Sequence, residues 1–312
     1  MIRTLRFLSR ELLGQNRRAR ALLARYNPRA FFQVVDHKLK TKAVLHELGL
    51  PIIETLAVYH RQHDIARFAA QAQVWEEFVI KPAQGARGQG VVIVTGRQSD
   101  RFVTTEGRLL EVRALESHLS DILGGIFSLN QRYDDALVER RLHAHPLLAR
   151  MSFRGLPDIR VIVFRGVPLM AMLRLATRSS KGRANLHAGG IGVGIDLASG
   201  RTTHAIAGKR RLMAHLDTHT SLGGFLLPRW DDILTTATRA ADAVALGYLG
   251  VDLTLDHEAG LHILELNARP GLSIQLANRR GLRPLIEEVE QCTPENLSVN
   301  ERVQLGREIT AV

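Results

Sequence analysis

The chain has 312 residues, 45% apolar and 23% charged, which at roughly 100 to 200 residues per domain gives about two folding units. No run approaches the ~18 uninterrupted apolar residues of a membrane span, and the start lacks the long apolar core of a secretory signal, so a cytoplasmic protein is expected. A single cysteine, Cys292, excludes an internal disulfide and a cysteine-built zinc site. The formal charge of +11, from 42 Lys and Arg against 31 Asp and Glu, suits anionic partners. With aromatics at 5% and no aromatic residues interleaved with basic ones, base-stacking platforms are scarce and nucleic acid is disfavoured.

Residues 1–35 read as a basic helical segment in which Leu5, Leu8, Leu12, Leu22 and Leu23 keep a roughly helical period between arginines. Such a segment either touches an anionic membrane surface or a partner transiently, or lays its leucines over the main domain. Residues 36–145 begin with a helix, "KLKTKAVLHELGL", stopped by Gly49 and Pro51. A strand in "PIIETLAVYH" and a helix in "DIARFAAQAQ" follow. "EEFVIKPAQGARGQGVVIV" then sets a glycine-rich loop between two β-rich runs, a hairpin with a mobile tip. "LESHLSDILGGIFS" reads as helix and "DALVERRL" as strand.

Residues 146–292 are strand-rich. "DIRVIVFRGVPLMAMLRL" predicts two strands turning at Arg165 and Gly166, and "NLHAGGIGVGIDLASGRTTHAI" predicts two more around "ASGR". Trp230, Ile233, Leu234, Ala237, Ala241 and Val244 keep helical spacing, with Gly247 as the stop. Residues 293–312 form a polar tail expected to be peripheral.

"GVDLTLDHEAGLHILELN" reads as a hairpin. If it is symmetric about Glu258 and Ala259, Asp252 faces Glu265, with Cβ atoms about 4.5 to 5.5 Å apart, and the strand period adds Asn267 to the same face. Two carboxylates and an amide oxygen make an oxygen-rich site for a hard cation such as Mg²⁺, with Mn²⁺ as a substitute. The competing reading is a pair neutralised by Arg269. In "KPAQGARGQG", Lys81 can reach a phosphate while Gly85, Gly88 and Gly90 let backbone N–H groups approach a polyphosphate. The spacing is neither that of a Walker loop nor that of a Rossmann fingerprint, and a plain glycine-rich hairpin reads equally well.

Taken in order, "DHKLKTKAVLHELGLP", "VIKPAQGARGQGV", "LVERRL", "DIRVIVF", "GRANLHAGG" and "GVDLTLD…HILELNARPG" resemble the ATP-grasp ligases, and "DIR" with "NLHAGG" is similar in particular to the RimK-like glutamate ligases. The resemblance spans roughly residues 30 to 285 and implies an α+β ATP-grasp fold, two lobes clasping ATP. The opening α/β domain usual in that family would here be replaced by the short basic lead. It implies Lys38 and Lys81 on the α- and β-phosphates, a phosphate lid at 85–90, Glu139 and Leu142 beside adenine, and Asp158 near the ribose. Asp252, Glu265 and Asn267 match the family's metal triplet. Arg183 and Asn185 align beside the terminal phosphates, and Arg160 and Arg174 are partners for phosphate or a substrate carboxylate. His37 stands where the family often has Asp, which leaves Lys40 and Lys42 as neighbours competing with Lys38, and "HAHPLLARMSFRGLP" is longer than the family's connection.

The implied activity is an ATP-dependent carboxylate–amine ligase working through an acylphosphate, joining an amino acid such as glutamate to a peptide or small-acid acceptor. A partner protein or second subunit would supply acceptor recognition. The alternative is a nucleotide-sensing protein that binds ATP and Mg²⁺ without turnover.

Overall fold

The computed structural model describes residues 11–85, 88–128 and 132–311. They divide into two compact units: one within residues 37–39 and 53–143, the other within residues 11–36, 40–52 and 144–311. The expected boundaries at 36 and 145 cut the chain differently, because helix α1 (Lys38–Glu47) places only its first residues with the smaller unit. Gly49 closes that helix at φ +61, its N–H donating to His46 O, a left-handed end that glycine adopts without a Cβ clash.

The smaller unit is a six-stranded antiparallel sheet of β1 (Thr55–Tyr59), β2 (Phe78–Pro82), β3 (Val92–Gln98), β4 (Arg101–Thr104), β5 (Leu109–Leu110) and β6 (Ala136–Arg140), in the order β1-β6-β2-β3-β4-β5. One face carries helix α2 (Val112–Leu123), whose Leu115, Leu119 and Ile122 recur at three- and four-residue intervals and pack on Phe78, Ile80 and Val138. Phe68, Trp75, Phe78 and Phe102 stack edge to face through this core. The tip residues 86–87 of the expected glycine hairpin lie outside the described residues.

The larger unit is a seven-stranded antiparallel sheet. Its strands β7 (Asp158–Phe164), β8 (Val167–Leu175), β9 (Ile191–Ile195), β10 (Thr202–Ala207), β11 (Arg210–Leu212), β12 (Tyr248–Asp256) and β13 (Gly260–Asn267) run in the order β11-β10-β9-β8-β7-β12-β13. The apolar run of β7 is buried on both faces, and strand alternation sorts it. Ile159, Val161 and Val163 join Ile233, Leu234 and Ala237 of helix α3 (Trp230–Asp242), while Ile162 and Phe164 join Leu282, Leu285 and Val289 of helix α4 (Leu282–Glu290). α3 ends at Asp242, five residues before the expected stop at Gly247.

Residues toward both ends of the described chain belong to this unit's core. Leu13 and Leu22 pack with Ile162, Phe164 and Tyr248, and Asn27 stands in for a strand partner, donating to Tyr248 O at 2.7 Å and accepting from Tyr248 N at 2.9 Å. Arg17 and Arg25 pair with Glu287 and Glu290 of α4. Of the leucines expected to cover the main domain, Leu22 and Leu23 pack into this core and Leu12 is half-buried; Leu5 and Leu8 lie outside the described residues.

The polar tail is a correction. Residues 299–310 form helix α5 on β8 and α3, with Val303 buried and Arg302 forked onto Asp242 at 2.7 Å through both terminal nitrogens. Its start is written in the sequence as Ser298 and Glu301, a reciprocal capping box. Polarity there marks the outer face of a docked helix.

Candidate functional site

In the larger unit, the register of β7, β8, β12 and β13 sets charged residues opposite one another. Asp158 faces Arg174, Arg160 faces Asp252, and Asp252 faces Glu265. All sit on the sheet face whose other end is filled by Ile162, Phe164 and Tyr248, so five ionic side chains continue an apolar face. Arg160 grips both oxygens of Asp252 at 2.6 Å, through Nε and a terminal nitrogen. Arg174 donates to the same carboxylate at 2.7 Å and, through Nε, to Asp158.

The carboxylates respond in opposite directions. Burial pushes Asp158 up to about 7, against the pull of Arg174, with the negative charge of Asp252 adding to the rise. Burial also opposes ionisation of Asp252, but Arg160 and Arg174 together outweigh it and hold Asp252 at about 2. Arg174 is raised despite burial, because Asp158, Asp252 and Glu265 stabilise its charge. The arrangement keeps Asp252 ionised and lets Asp158 exchange a proton near neutrality.

Asn267 lies opposite Gly250, one alternation along from Asp252 and Glu265. Asp252 and Glu265 face each other as the hairpin symmetry predicts, but by a different route. The turn is three residues, closed by Asp256 opposite Gly260 with Asp256 Oδ1 accepting from Glu258 N and Ala259 N. A bulge at Leu264 then restores the register one residue later. Arg269 takes no part, being paired with Asp36 at 2.6 Å and placed over the Phe32 ring.

A divalent cation fits this donor set in kind. Asp252 accepts three N–H bonds, leaving about one of a carboxylate's four lone-pair positions. Among the described residues Asn267 Oδ1 accepts only from Arg269 N at 3.0 Å, and neither array arginine donates to Glu265. Among the described residues no three His, Cys, Asp or Glu side chains cluster for a metal, so the set is two carboxylates and one amide, fewer ligands than Mg²⁺ takes, and water would supply the rest.

Arg183 is exposed after β8, while Asn185 is engaged locally. Its Oδ1 accepts from His187 N at 3.0 Å and its carbonyl from Gly190 N at 2.9 Å. His187 is exposed.

In the smaller unit, Lys81 Nζ meets Glu139 at 2.5 Å, a diagonal pair across β2 and β6 in which Val79 is the residue directly opposite Glu139. Lys38 holds the start of the glycine loop: its backbone N–H donates to Ala83 O at 2.9 Å and its Nζ to Gly85 O at 3.0 Å. Leu142 is buried just past β6. The glycines meet real obstacles. A Cβ on Gly85 would lie 2.2 Å from Pro82, and one on Gly90, at φ +71, 2.6 Å from the Phe127 ring; Gly88 also has positive φ.

Three residues that position this loop escape the sequence reading. Asp134 accepts from Gln84 N at 2.9 Å and Asp135 N at 2.8 Å, His118 Nε2 lies 2.9 Å from Gly90 O, and Phe127 packs under Gly90. The acidic doublet just before β6 is the only local signal for them.

A family model described as sugar-transfer associated ATP-grasp matches residues 17–291. Among solved structures, D-cycloserine synthetase DcsG is 13% identical with a TM-score of 0.48, over 92% of this chain and 74% of that one. ATP-grasp ligase PsnB complexed with minimal precursor is 16% identical with a TM-score of 0.43, over 86% and 64%. D-alanine–D-alanine ligase from Bacillus anthracis is 13% identical with a TM-score of 0.42, over 89% and 67%. The chain thus spans less than two thirds of PsnB's length. No curated protein matches the sequence. The expected fold class stands: an α+β ATP-grasp fold with two antiparallel sheets. No described helix is long and apolar enough to cross a membrane.

Proposed function

The chain belongs to the sugar-transfer associated ATP-grasp family, and on that premise we propose that it is an ATP-dependent carboxylate–amine ligase, adding an amino acid such as glutamate to a peptide or small-acid acceptor. The observation that carries this reading is the opposition of Asp252 and Glu265 across β12 and β13, with Asn267 one alternation on. The order "DIR" then "NLHAGG" supports glutamate as the added amino acid.

In this reading Asp252, Glu265 and Asn267 hold Mg²⁺, whose charge offsets that of the phosphate oxygens. Lys38 and Lys81 bind the α- and β-phosphates, and backbone N–H groups around Gly85, Gly88 and Gly90 close over the chain of phosphates. Glu139 and Leu142 receive adenine, chiefly through their backbone, and Asp158 lies near the ribose. Arg183 and Asn185 lie at the terminal phosphate. A substrate carboxylate oxygen attacks the γ-phosphorus, ADP leaves, and an acylphosphate results. The amine nitrogen then attacks the acyl carbon, the C–O bond to phosphate breaks, and the amine proton passes to solvent as phosphate departs. Arg160 or Arg174 stabilises the tetrahedral oxyanion.

Nucleotide product analysis tests this: ATP, Mg²⁺, each amino acid in turn and a pool of acceptor peptides and small acids, with Glu265→Gln as control. ADP and phosphate appearing with one amino acid, and lost in the control, are expected. AMP and pyrophosphate would overturn the mechanism, and ATP bound but never consumed would favour the nucleotide-sensing reading.

A further inference from the structure

Just beyond Arg174, where the ladder of β7 and β8 ends, two loops of the larger unit close on each other: residues 151–157, which lead into β7, and residues 176–190, which join β8 to β9. Phe153 N donates to Ala176 O at 3.0 Å, Ala176 N donates to Ser152 Oγ at 3.1 Å, and Gly155 lies so near the second loop that a Cβ on it would meet Gly182 O. The second loop is braced from inside. Thr177 and Ser180 are buried and exchange three hydrogen bonds, and Thr177 Oγ1 donates to Gly189 O at 2.9 Å. The two loops form one fixed shelf that starts two residues from Arg174, the partner of Asp158.

The shelf presents positive charge. Arg154, Arg178, Lys181 and Arg183 are exposed on it, and the guanidinium carbons of Arg154 and Arg178 lie 5.4 and 5.2 Å from the centroid of the Phe153 ring. One aromatic ring thus gathers two like charges, which repel unless an anion is shared between them. Arg154 at φ +55 and Lys181 at φ +53 are in the left-handed region, where a side chain costs conformational energy. Two cations are therefore held where glycine would be free of strain. One carboxylate opposes them: Asp217 accepts from Arg178 N at 2.8 Å, with its other oxygen 3.8 Å from Arg178 Nε. Among the described residues no carboxylate pairs with Arg154, Lys181 or Arg183.

The chemistry that matches is a row of carboxylates. Guanidinium forks meet carboxylates in two-point contacts, and an extended peptide sets side chains of one face about 7 Å apart, so successive acidic residues reach separate cations. A bilayer or a nucleic acid matches less well. Among the described residues between 151 and 190 no large apolar side chain is exposed to enter a membrane, and Phe153 is half-buried with arginines over its ring, which leaves no open face for a base.

We propose that Arg154, Arg178 and Lys181 form a docking subsite for an acidic peptide acceptor, one that carries carboxylates beside the carboxylate that reacts. Its role as acceptor rests on the ligase reading; the preference for an acidic peptide rests on the shelf itself.

The test is binding of fluorescein-labelled hexaglutamate to the whole chain, read by anisotropy without ATP across a range of NaCl, with hexaglutamine, oligouridylate and phosphatidylserine vesicles as comparison probes. Hexaglutamate binds saturably and more weakly as NaCl rises, and hexaglutamine does not bind. The triple variant Arg154→Gln, Arg178→Gln, Lys181→Gln loses about tenfold or more in affinity. A charge-matched variant at β10 and β11, Lys209→Gln, Arg210→Gln, Arg211→Gln, removes three other exposed cations and keeps that affinity, melting temperatures establishing that both variants fold. Arg154→Gly, which relieves the positive φ as it removes the charge, weakens binding in a variant with no strain to impose. Equal affinity in the triple variant, an equal loss in the charge-matched one, or tighter binding of oligouridylate or vesicles through the same three residues overturns the proposal. Because ATP is absent, the two readings fail separately: ligation of a neutral acceptor with no binding of hexaglutamate sinks the subsite alone, and binding of hexaglutamate with no ADP released under any condition sinks the ligase alone.

Discussion

Asp252 and Arg160 face each other across β12 and β7 and share two 2.6 Å hydrogen bonds, in a place where the sequence suggests a carboxylate free for a metal. The pair is buried, with Arg174 as third member, so removing one partner strands charge in the interior. Asp252→Ala is expected to lose about 3 to 5 kcal/mol of stability, confounding any activity loss with unfolding. Glu265→Gln separates the two effects, because neither arginine donates to Glu265. Its melting temperature should stay close to wild type while Mg²⁺-dependent ATP consumption falls by about a hundredfold or more. Equal consumption in the two proteins would remove Glu265 from the metal site.

Asp158 gives the array a pH signature. Its carboxyl is raised from 3.8 to about 7 by burial, so the folded chain binds this proton more tightly than the unfolded chain. Its contribution to stability is complete below about pH 4 and is lost as pH rises through about 7. Asp252, lowered to about 2, acts in the other direction: its contribution is present above about pH 4 and lost as pH falls toward 2. Asp158→Asn should flatten the decline in unfolding free energy between pH 4 and 7, measured by urea titration at several pH values. An unchanged slope would mean that Asp158 stays ionised throughout.

Ten of the thirteen strands were legible because alternation and turn residues mark them directly: the Arg165–Gly166 and Asp256–Gly260 turns both lie where the chain chemistry puts them, whereas the short β4, β5 and β11 went unread. The bulges were not legible. Arithmetic from the Arg165–Gly166 turn puts Asp158 opposite Leu173, and the extra residue at Leu169 brings Arg174 there instead. That single residue decides which face Arg174 occupies, so the arginine grip on Asp252 was invisible from sequence. The tail misled because polarity was read without period: Arg302, Val303 and Gly306 share the buried side of α5.

Tyr248 tests a different element of the same face. The residue is fully buried, and its hydroxyl has no partner among the described residues. Burial raises its ionisation well above the ordinary phenol range, despite Arg18 and Arg160 nearby, so the group is a neutral hydroxyl. Tyr248→Phe removes the desolvated oxygen and keeps the ring that packs with Phe164 and Leu22. A gain of about 1 kcal/mol is expected, a rise of about 2 °C in melting temperature. A loss of stability instead would identify a bound water as the hydroxyl's partner.

Gly306 decides whether α5 is part of the fold. In an exposed helix, glycine to alanine is stabilising by up to about 1 kcal/mol. Here a Cβ would sit 2.2 Å from Pro168 O and 3.1 Å from its Cγ, and backbone cannot yield as a side-chain tip does. The helix would have to move off β8, drawing Arg302 away from Asp242 and loosening Val303. Gly306→Ala should therefore destabilise by about 1 to 3 kcal/mol, against a change within about 0.5 kcal/mol for Gln304→Ala on the exposed side. Denaturant midpoints of the two variants settle the sign: if Gly306→Ala is neutral or stabilising, α5 is not docked on β8 and the tail is peripheral.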